Sequence, residues 1–404
     1  MIFHIVNINT KGQFVIQIKV VVYKMTNNQF FQDILDFADV KINGNRPWDI
    51  KIHDERVFDR VLKDGSLGFG ESYMDGMWDC DAIDEMISRV LHAGIEDRLT
   101  TTTKIQLGLK AGASKLKQLF NPQSVERVTQ DVPFHYDLGN DLFEAMLDPR
   151  MTYTCAYWKD SDNLKAAQEA KLDLVCRKMG LQPGMRLLDI GCGWGSFMIF
   201  AAEKYGVICD GLTLSKEQAA LGQARADEKG LPVNFILQDY RLYQPELPYD
   251  RVVSIGMMEH VGPENYEDYF KSAYSFLAED GIFLLHTIGS PKSKTSVDPW
   301  INKYIFPNGV IPSMMQIGAS AEDYFNIEDV QNIGPDYDTT LVAWNDNFEA
   351  AWPALADKYG ERFYRMWRYY LLSCAGAFRC RDLNVWQFGL TKKGAELPVS
   401  VRAA

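Results

Sequence analysis

The stretch Leu187-Leu188-Asp189-Ile190-Gly191-Cys192-Gly193-Trp194-Gly195-Ser196 decides the fold. It reads as an apolar strand that runs into a glycine loop and then into a helix from residue 197. Alternate glycines at 191, 193 and 195 let the backbone pass close to a flat ligand, and the Asp189 carboxylate just before them suits an ammonium group. A dinucleotide loop would want glycine where this chain has Ser196, so the G-x-G-x-x-G pattern fails. Outward from the loop, strand-like segments at 186–190, 207–213, 233–237, 251–255 and 282–288 alternate with helical ones at 197–205, 216–229 and 263–277. That alternation predicts βαβ units and a mostly parallel sheet covered on both faces. A helix at 361–374 and a strand at 384–391 then end the sheet.

The glycine form with its preceding acid resembles the nucleotide loop of class I S-adenosylmethionine methyltransferases. The resemblance implies a cofactor site built on Asp189, Gly191, Cys192, Gly193, Trp194 and Gly195. Many such enzymes end the second strand with an acid for the ribose, whereas this chain has Thr213-Leu214 there. Gln218 offers a neutral ribose partner, although Ser215-Lys216-Glu217-Gln218 equally fits a capping box, and Asp210 is a further candidate for the acid. Gln238-Asp239-Tyr240 falls where adenine would be contacted, Asp239 accepting from the amino group and Tyr240 offering a ring face. Ligands in open α/β sheets lie beyond the carboxyl ends of the strands. Glu259-His260 and His286-Thr287-Ile288 stand at such ends, and Tyr153-Thr154-Cys155-Ala156-Tyr157-Trp158 and Asp336-Tyr337 are placed to fold over them.

A length of 404 residues suggests two to three domains, since a domain averages about 150. The 47% hydrophobic and 24% charged residues are those of a globular protein. With 42 basic and 54 acidic residues the net charge is −12, which argues against general nucleic-acid binding. Seven cysteines without a Cys-x-x-Cys pair favour free thiols in a reducing compartment over zinc or disulfides. No apolar run approaches the roughly 18 residues of a spanning helix. Residues 1–24 make a poor signal peptide and read as a start-site extension ahead of Met25. Segments 40–42 and 50–52 alternate around Asn43-Gly44-Asn45-Arg46-Pro47, a hairpin signal, and the glycines of 65–70 permit a turn or close backbone contact. Residues 101–120 hold four lysines and no acid, either a face for anionic membrane or a solvated linker helix, and they mark the domain boundary.

Taken together, the motifs resemble the bacterial cyclopropane-fatty-acyl-phospholipid synthases. His135-Tyr136-Asp137-Leu138-Gly139-Asn140, Thr154-Cys155-Ala156-Tyr157-Trp158, the 188–195 loop, Glu259-His260-Val261-Gly262, Leu285-His286-Thr287-Ile288-Gly289 and Cys374-Ala375-Gly376-Ala377-Phe378 carry the likeness, which runs from about residue 30 to 391. It implies a class I methyltransferase-type sheet at 121–404 and a small α+β, lipid-directed unit with its linker at 25–120. It also implies transfer of a methylene unit from S-adenosylmethionine to the cis double bond of an acyl chain in a membrane phospholipid. Bicarbonate would take the departing proton, held by Cys155, Glu259, His286, Ile288 and Tyr337, with Cys374 a weaker catalytic candidate. Tyr153 and Thr154 would join the cofactor site. An ionised Glu259 beside the anion is repulsive, so hydrogen bonds must offset it. The same likeness suggests a homodimer, cytoplasmic and peripheral at the inner membrane face. A related lipid or small-molecule amine methyltransferase is the competing reading.

Overall fold

The computed structural model describes residues 2–10, 13–21, 27–95 and 139–402. The lysine-bearing 101–120 segment and His135 to Leu138 of the quoted motifs lie outside them. Strands β1 (Ile2–Thr10) and β2 (Gln13–Val21) form an antiparallel hairpin. Four helices follow with one pair of very short strands: α1 (Asn27–Leu35), β3 (Lys51–Ile52), α2 (Arg56–Asp64), α3 (Ser66–Met74), β4 (Trp78–Asp79) and α4 (Ile83–His92). The hairpin expected around residues 43–47 is not a ladder. Ile42 and Ile50 make an isolated parallel bridge, and β3 pairs instead with β4, because the Asp49 side chain captures the Lys41 and Arg46 N–H groups and closes the loop on itself. The glycines of 65–70 do allow close contact, though inside helix α3: a Cβ on Gly70 would sit 2.5 Å from the Trp300 indole.

The larger part begins with α5 (Asn140–Met146) and α6 (Leu164–Lys178) and then alternates strand and helix. In order come β5 (Arg186–Ile190), α7 (Ser196–Tyr205), β6 (Ile208–Thr213), α8 (Lys216–Glu228), β7 (Val233–Leu237), β8 (Tyr249–Ile255), α9 (Tyr266–Phe276) and β9 (Leu277–Gly289). They are followed by α10 (Pro299–Tyr304), α11 (Met314–Ala321), β10 (Phe325–Asn332), α12 (Pro335–Tyr359), α13 (Glu361–Arg379) and β11 (Asn384–Lys392). The seven-stranded sheet has the order β10-β11-β9-β8-β5-β6-β7. Contacts among β5 to β9 are parallel, while β11 is antiparallel to both β9 and β10. The fold is thus α/β with a mostly parallel sheet, as the alternation predicts. The last strand does not form the edge; it is inserted between β9 and β10, whose alternating polar sequence hid it.

Continuous apolar runs suit strands buried on both faces. Leu188, Ile190, Val252, Phe283 and Leu285 pack with α9 on one side. Leu187, Val253 and Leu284 pack with α6 and α7 on the other. A further core joins Phe58 and Met86 of the N-terminal helices and Trp78 of β4 to Trp300, Tyr337, Tyr369 and Phe378. The strand order reverses at β5, whose neighbours are β6 and β8, and the glycine loop leaves the sheet at that switch point.

Candidate active site

Positive φ angles of 87° at Gly191, 56° at Gly193 and 73° at Gly195 turn the chain from β5 into α7. The loop opens one wall of a cavity that Tyr153, Thr154, Asp189, Gly191, Cys192, Gly193, Trp194, Thr213, Leu214, Gln218, Gln238, Asp239 and Tyr240 line. Gly195 is absent from that wall; it faces the Phe235 ring, where a Cβ would lie 2.3 Å from Cζ. Lys171, Arg241 and His260 complete the charged and titratable lining, and of these sequence reasoning named His260 alone, without giving it a role. His260 was visible next to Glu259, whereas Lys171 sits in an ordinary helix and carries no motif signal.

Asp189 is almost fully buried and its Oδ1 has no hydrogen-bond partner. Burial pushes its carboxyl up to about 7, with Lys171 opposing. Ser215 caps α8 by accepting the Gln218 N–H at 3.2 Å, yet the Gln218 side chain does not return to Ser215 N, which donates instead to Thr213 Oγ1 at 3.2 Å. Only half a capping box forms, and Gln218 Oε1 accepts from Thr213 Oγ1 at 3.4 Å on the cavity wall. Asp210 is committed elsewhere, to Tyr249 at 2.7 Å and Asn234 at 3.1 Å, and it does not line the cavity. Asp239 accepts from Arg241 Nε at 2.9 Å and Nη2 at 2.6 Å, so both carboxylate oxygens are already engaged. Gln238 donates to the Leu242 carbonyl at 3.0 Å, and Tyr240 packs edge-on against Tyr269.

A second group adjoins this cavity through Tyr153, whose hydroxyl is 2.8 Å from that of Tyr370. Tyr337 is buried within electrostatic range of Cys155, Tyr153, Glu259 and Cys374. Glu259 enters on the short helical turn after β8; its Oε1 accepts the Ile288 N–H at 2.6 Å, and its buried Oε2 has no partner. Burial drives the Glu259 carboxyl up to about 7. Cys155 donates its thiol to the Ala156 and Ile333 carbonyls, and burial holds both it and Cys374 as thiols, Cys374 rising to about 12. Thr340 of α12 pins the 153–158 segment by accepting from Ala156 N at 3.1 Å and Trp158 Nε1 at 3.0 Å.

His286 stands apart. On β9 it shares the α6 face with Leu284, and its Nδ1 lies 3.3 Å from Gln387 Nε2 of β11. Burial, then Lys171 and Lys178, depress its pKa well below the usual imidazole value. Among the described residues no hydrogen bond joins it to Glu259, Cys155 or Tyr337. Nor does any set of three His, Cys, Asp or Glu side chains there form a metal site.

The family model described as mycolic acid cyclopropane synthetase matches residues 123–388. Cyclopropane-fatty-acyl-phospholipid synthase of Escherichia coli strain K12 is 54% identical over 355 residues, covering 88% of this chain and 91% of that protein. Cyclopropane mycolic acid synthase 1 of Mycobacterium tuberculosis strain H37Rv is 41% identical, covering 67% of this chain and all of that one (100%). The crystal structure of mycolic acid cyclopropane synthase CmaA1 complexed with SAH superposes with a TM-score of 0.61 at 37% identity, over 65% of this chain and 98% of that one. Matches of this extent establish kinship, and the chain belongs to the mycolic acid cyclopropane synthetase family of S-adenosylmethionine-dependent methyltransferases.

Proposed function

We propose that this enzyme cyclopropanates the cis double bond of an unsaturated acyl chain in a membrane phospholipid, with bicarbonate as proton acceptor. The observation that carries the reading is the pairing of two buried carboxyls, each with an orphaned oxygen, on either side of Tyr153. Asp189 faces the glycine-loop cavity and Glu259 adjoins Tyr337 and Cys155. The 54% identity to a synthase named for that reaction supports the substrate class.

Fit to S-adenosylmethionine rests on the orphaned Asp189 Oδ1, the open backbone at Gly191 and Gly193, and Gln218 on the wall where a ribose would lie. When bound, the cofactor would supply an electrophilic methyl; its transfer to the alkene would break the methyl–sulfur bond, release S-adenosylhomocysteine and leave a carbon cation that must lose one proton to close the ring. The chain's own part is alignment and a place for that proton. A Glu259 carboxyl raised to about 7 is largely protonated below neutrality, so it donates a hydrogen bond to an anion rather than repelling it. That removes the repulsion an ionised Glu259 would cause. Ile288 holds the carboxyl through its N–H; His286, kept neutral by burial and bonded to Gln387, is proposed as a further polar partner that would have to reach the anion from outside this group. The Tyr337 ring, packed 4.6 Å from Phe378, presents a π face to positive charge.

The 25–120 unit, with the lysines of 101–120, is proposed to bring a homodimeric enzyme to the inner face of the membrane. No helix among the described residues is long and apolar enough to cross it. The test is to incubate the enzyme with methyl-labelled S-adenosylmethionine and vesicles of cis-unsaturated phospholipid. Ring-bearing acyl chains are expected, at a rate that falls when bicarbonate is removed and recovers when it is restored. A branched product without a ring, or transfer only to amines, overturns the reading in favour of a related methyltransferase.

A further inference from the structure

Lys171 is the group in the cofactor cavity that neither the motif reading nor the proposed proton chemistry uses. It projects from α6 and is 1% exposed, yet it lines the cavity beside Thr154 and Asp189. An ammonium buried to this degree costs several kcal/mol unless a counter-charge compensates it. Among the described residues its hydrogen bond goes to Thr154 Oγ1, at 2.8 Å, a neutral hydroxyl that brings no counter-charge into contact with it. Asp148 and then Asp189 act on it through space, but among the described residues neither lies within ion-pair distance of it. The other cation on the wall, Arg241, is clamped to Asp239 in bidentate fashion. The cavity therefore presents one buried ammonium with donors to spare and one buried carboxylate with an orphaned oxygen, set apart from each other. That is the complement of a zwitterion.

We propose that Lys171, with Thr154, binds the carboxylate of the amino-acid end of S-adenosylmethionine, while Asp189 takes its ammonium. The inference rests on reading this cavity as the cofactor site. The strain visible on both groups supports it: burial depresses Lys171 to about 8 and lifts Asp189 to about 7, and a bound zwitterion relieves both together. Because Thr154 adjoins Cys155, the same contact fixes the start of the 153–158 segment over the second group of residues.

The test compares three ligands by titration calorimetry at pH 7: S-adenosylhomocysteine, its decarboxylated analogue S-adenosyl-3-thiopropylamine, and methylthioadenosine, which lacks the amino-acid end. Lys171→Met, which keeps length without charge, is expected to weaken S-adenosylhomocysteine at least tenfold and to leave the other two within twofold. Unchanged S-adenosylhomocysteine binding, or equal weakening of all three, overturns the proposal, the second outcome marking a merely structural lysine. Should Lys171→Met fail to fold, the native protein decides. Near pH 8, S-adenosylhomocysteine binding must take up more protons than binding of the decarboxylated analogue, since only a carboxylate raises the affinity of Lys171 for its proton. Equal uptake overturns the proposal. If S-adenosylhomocysteine itself does not bind the native protein, the cofactor-site reading falls, and this inference with it.

Discussion

Asp189 shows most directly how a single residue ties binding to stability. Its carboxyl is held up to about 7 in the fold against an ordinary value of 3.8, so the native state binds its proton more tightly than the unfolded chain does. Stability from this group is complete below about pH 4 and is lost as pH rises toward 7. His260, depressed to about 4, works in the opposite sense below its ordinary 6.5, so the raw melting curve mixes both trends. The difference between variants separates them. Asp189→Asn, which cannot ionise, should gain on the native protein by on the order of 3 kcal/mol between pH 4.5 and 7.5, read from denaturant melts across that range. A difference that is flat with pH would mean that Asp189 is already ionised in the free enzyme. Cys374 gives the second residue-scale prediction. A thiol pushed up to about 12 is no nucleophile at neutral pH. Cys374→Ser should therefore keep turnover within about threefold, and a loss beyond a hundredfold with cofactor affinity intact would assign it a chemical role.

At the scale of elements, the glycine loop and β7 depend on each other. The Phe235 ring fills the space that Gly195 and Gly222 leave open, with a Cβ on either predicted to fall 2.3 Å from its Cζ. Gly195 also holds φ at 73°, which costs an alanine about 1 kcal/mol before any clash. Gly195→Ala should lower stability by roughly 2 kcal/mol and weaken S-adenosylhomocysteine binding, while adding Phe235→Leu should return part of both. Purely additive losses would show that the ring is not the obstacle. Elements with this internal consistency were the legible ones: β5 to β9 and their helices announce themselves because apolar runs and helical stretches alternate at regular intervals. β10 escaped notice, since Asn326, Glu328, Asp329 and Gln331 sit in a sheet-edge strand whose apolar positions are few. The α12 helix opens on Pro335 and contains Pro353, punctuation that reads as a break until α13 packs along it. Of the site, the cavity residues could be read from loop chemistry. The neighbourhood of Cys155, Glu259, Tyr337 and Cys374 could be named only through the family resemblance, because α12 and α13 bring it together only in three dimensions.

For the whole molecule, the decisive join is between the N-terminal helices and α13. The −12 net charge gives no hint of it, because Arg365, Arg368 and Arg379 line one face of α13 and meet the Trp78 and Asp81 carbonyls, Asp79, Asp84 and Glu85 opposite. At its centre Gly376 lets α13 approach so closely that a Cβ there would fall 2.4 Å from the Asp84 carbonyl oxygen, a backbone atom that can yield only if α4 moves as a whole. The far side of α13 carries Tyr370, Cys374 and Phe378 toward Tyr153 and Tyr337, yet no residue of α13 lines the cofactor cavity. Displacing α13 should thus disturb the group around Tyr337 and Glu259, the proposed place of proton acceptance, and spare the cofactor. Gly376→Ala is expected to cut turnover on unsaturated vesicles at least tenfold while S-adenosylhomocysteine affinity stays within twofold. Its cost in stability, of about 1 to 3 kcal/mol from overpacking, should leave the protein folded at room temperature. Were affinity and turnover to fall together, the cofactor cavity and the group around Tyr337 and Glu259 would form one mechanical unit. Were neither to fall, α4 would be free to move without consequence for the chemistry, and the N-terminal helices would serve the membrane rather than the active site.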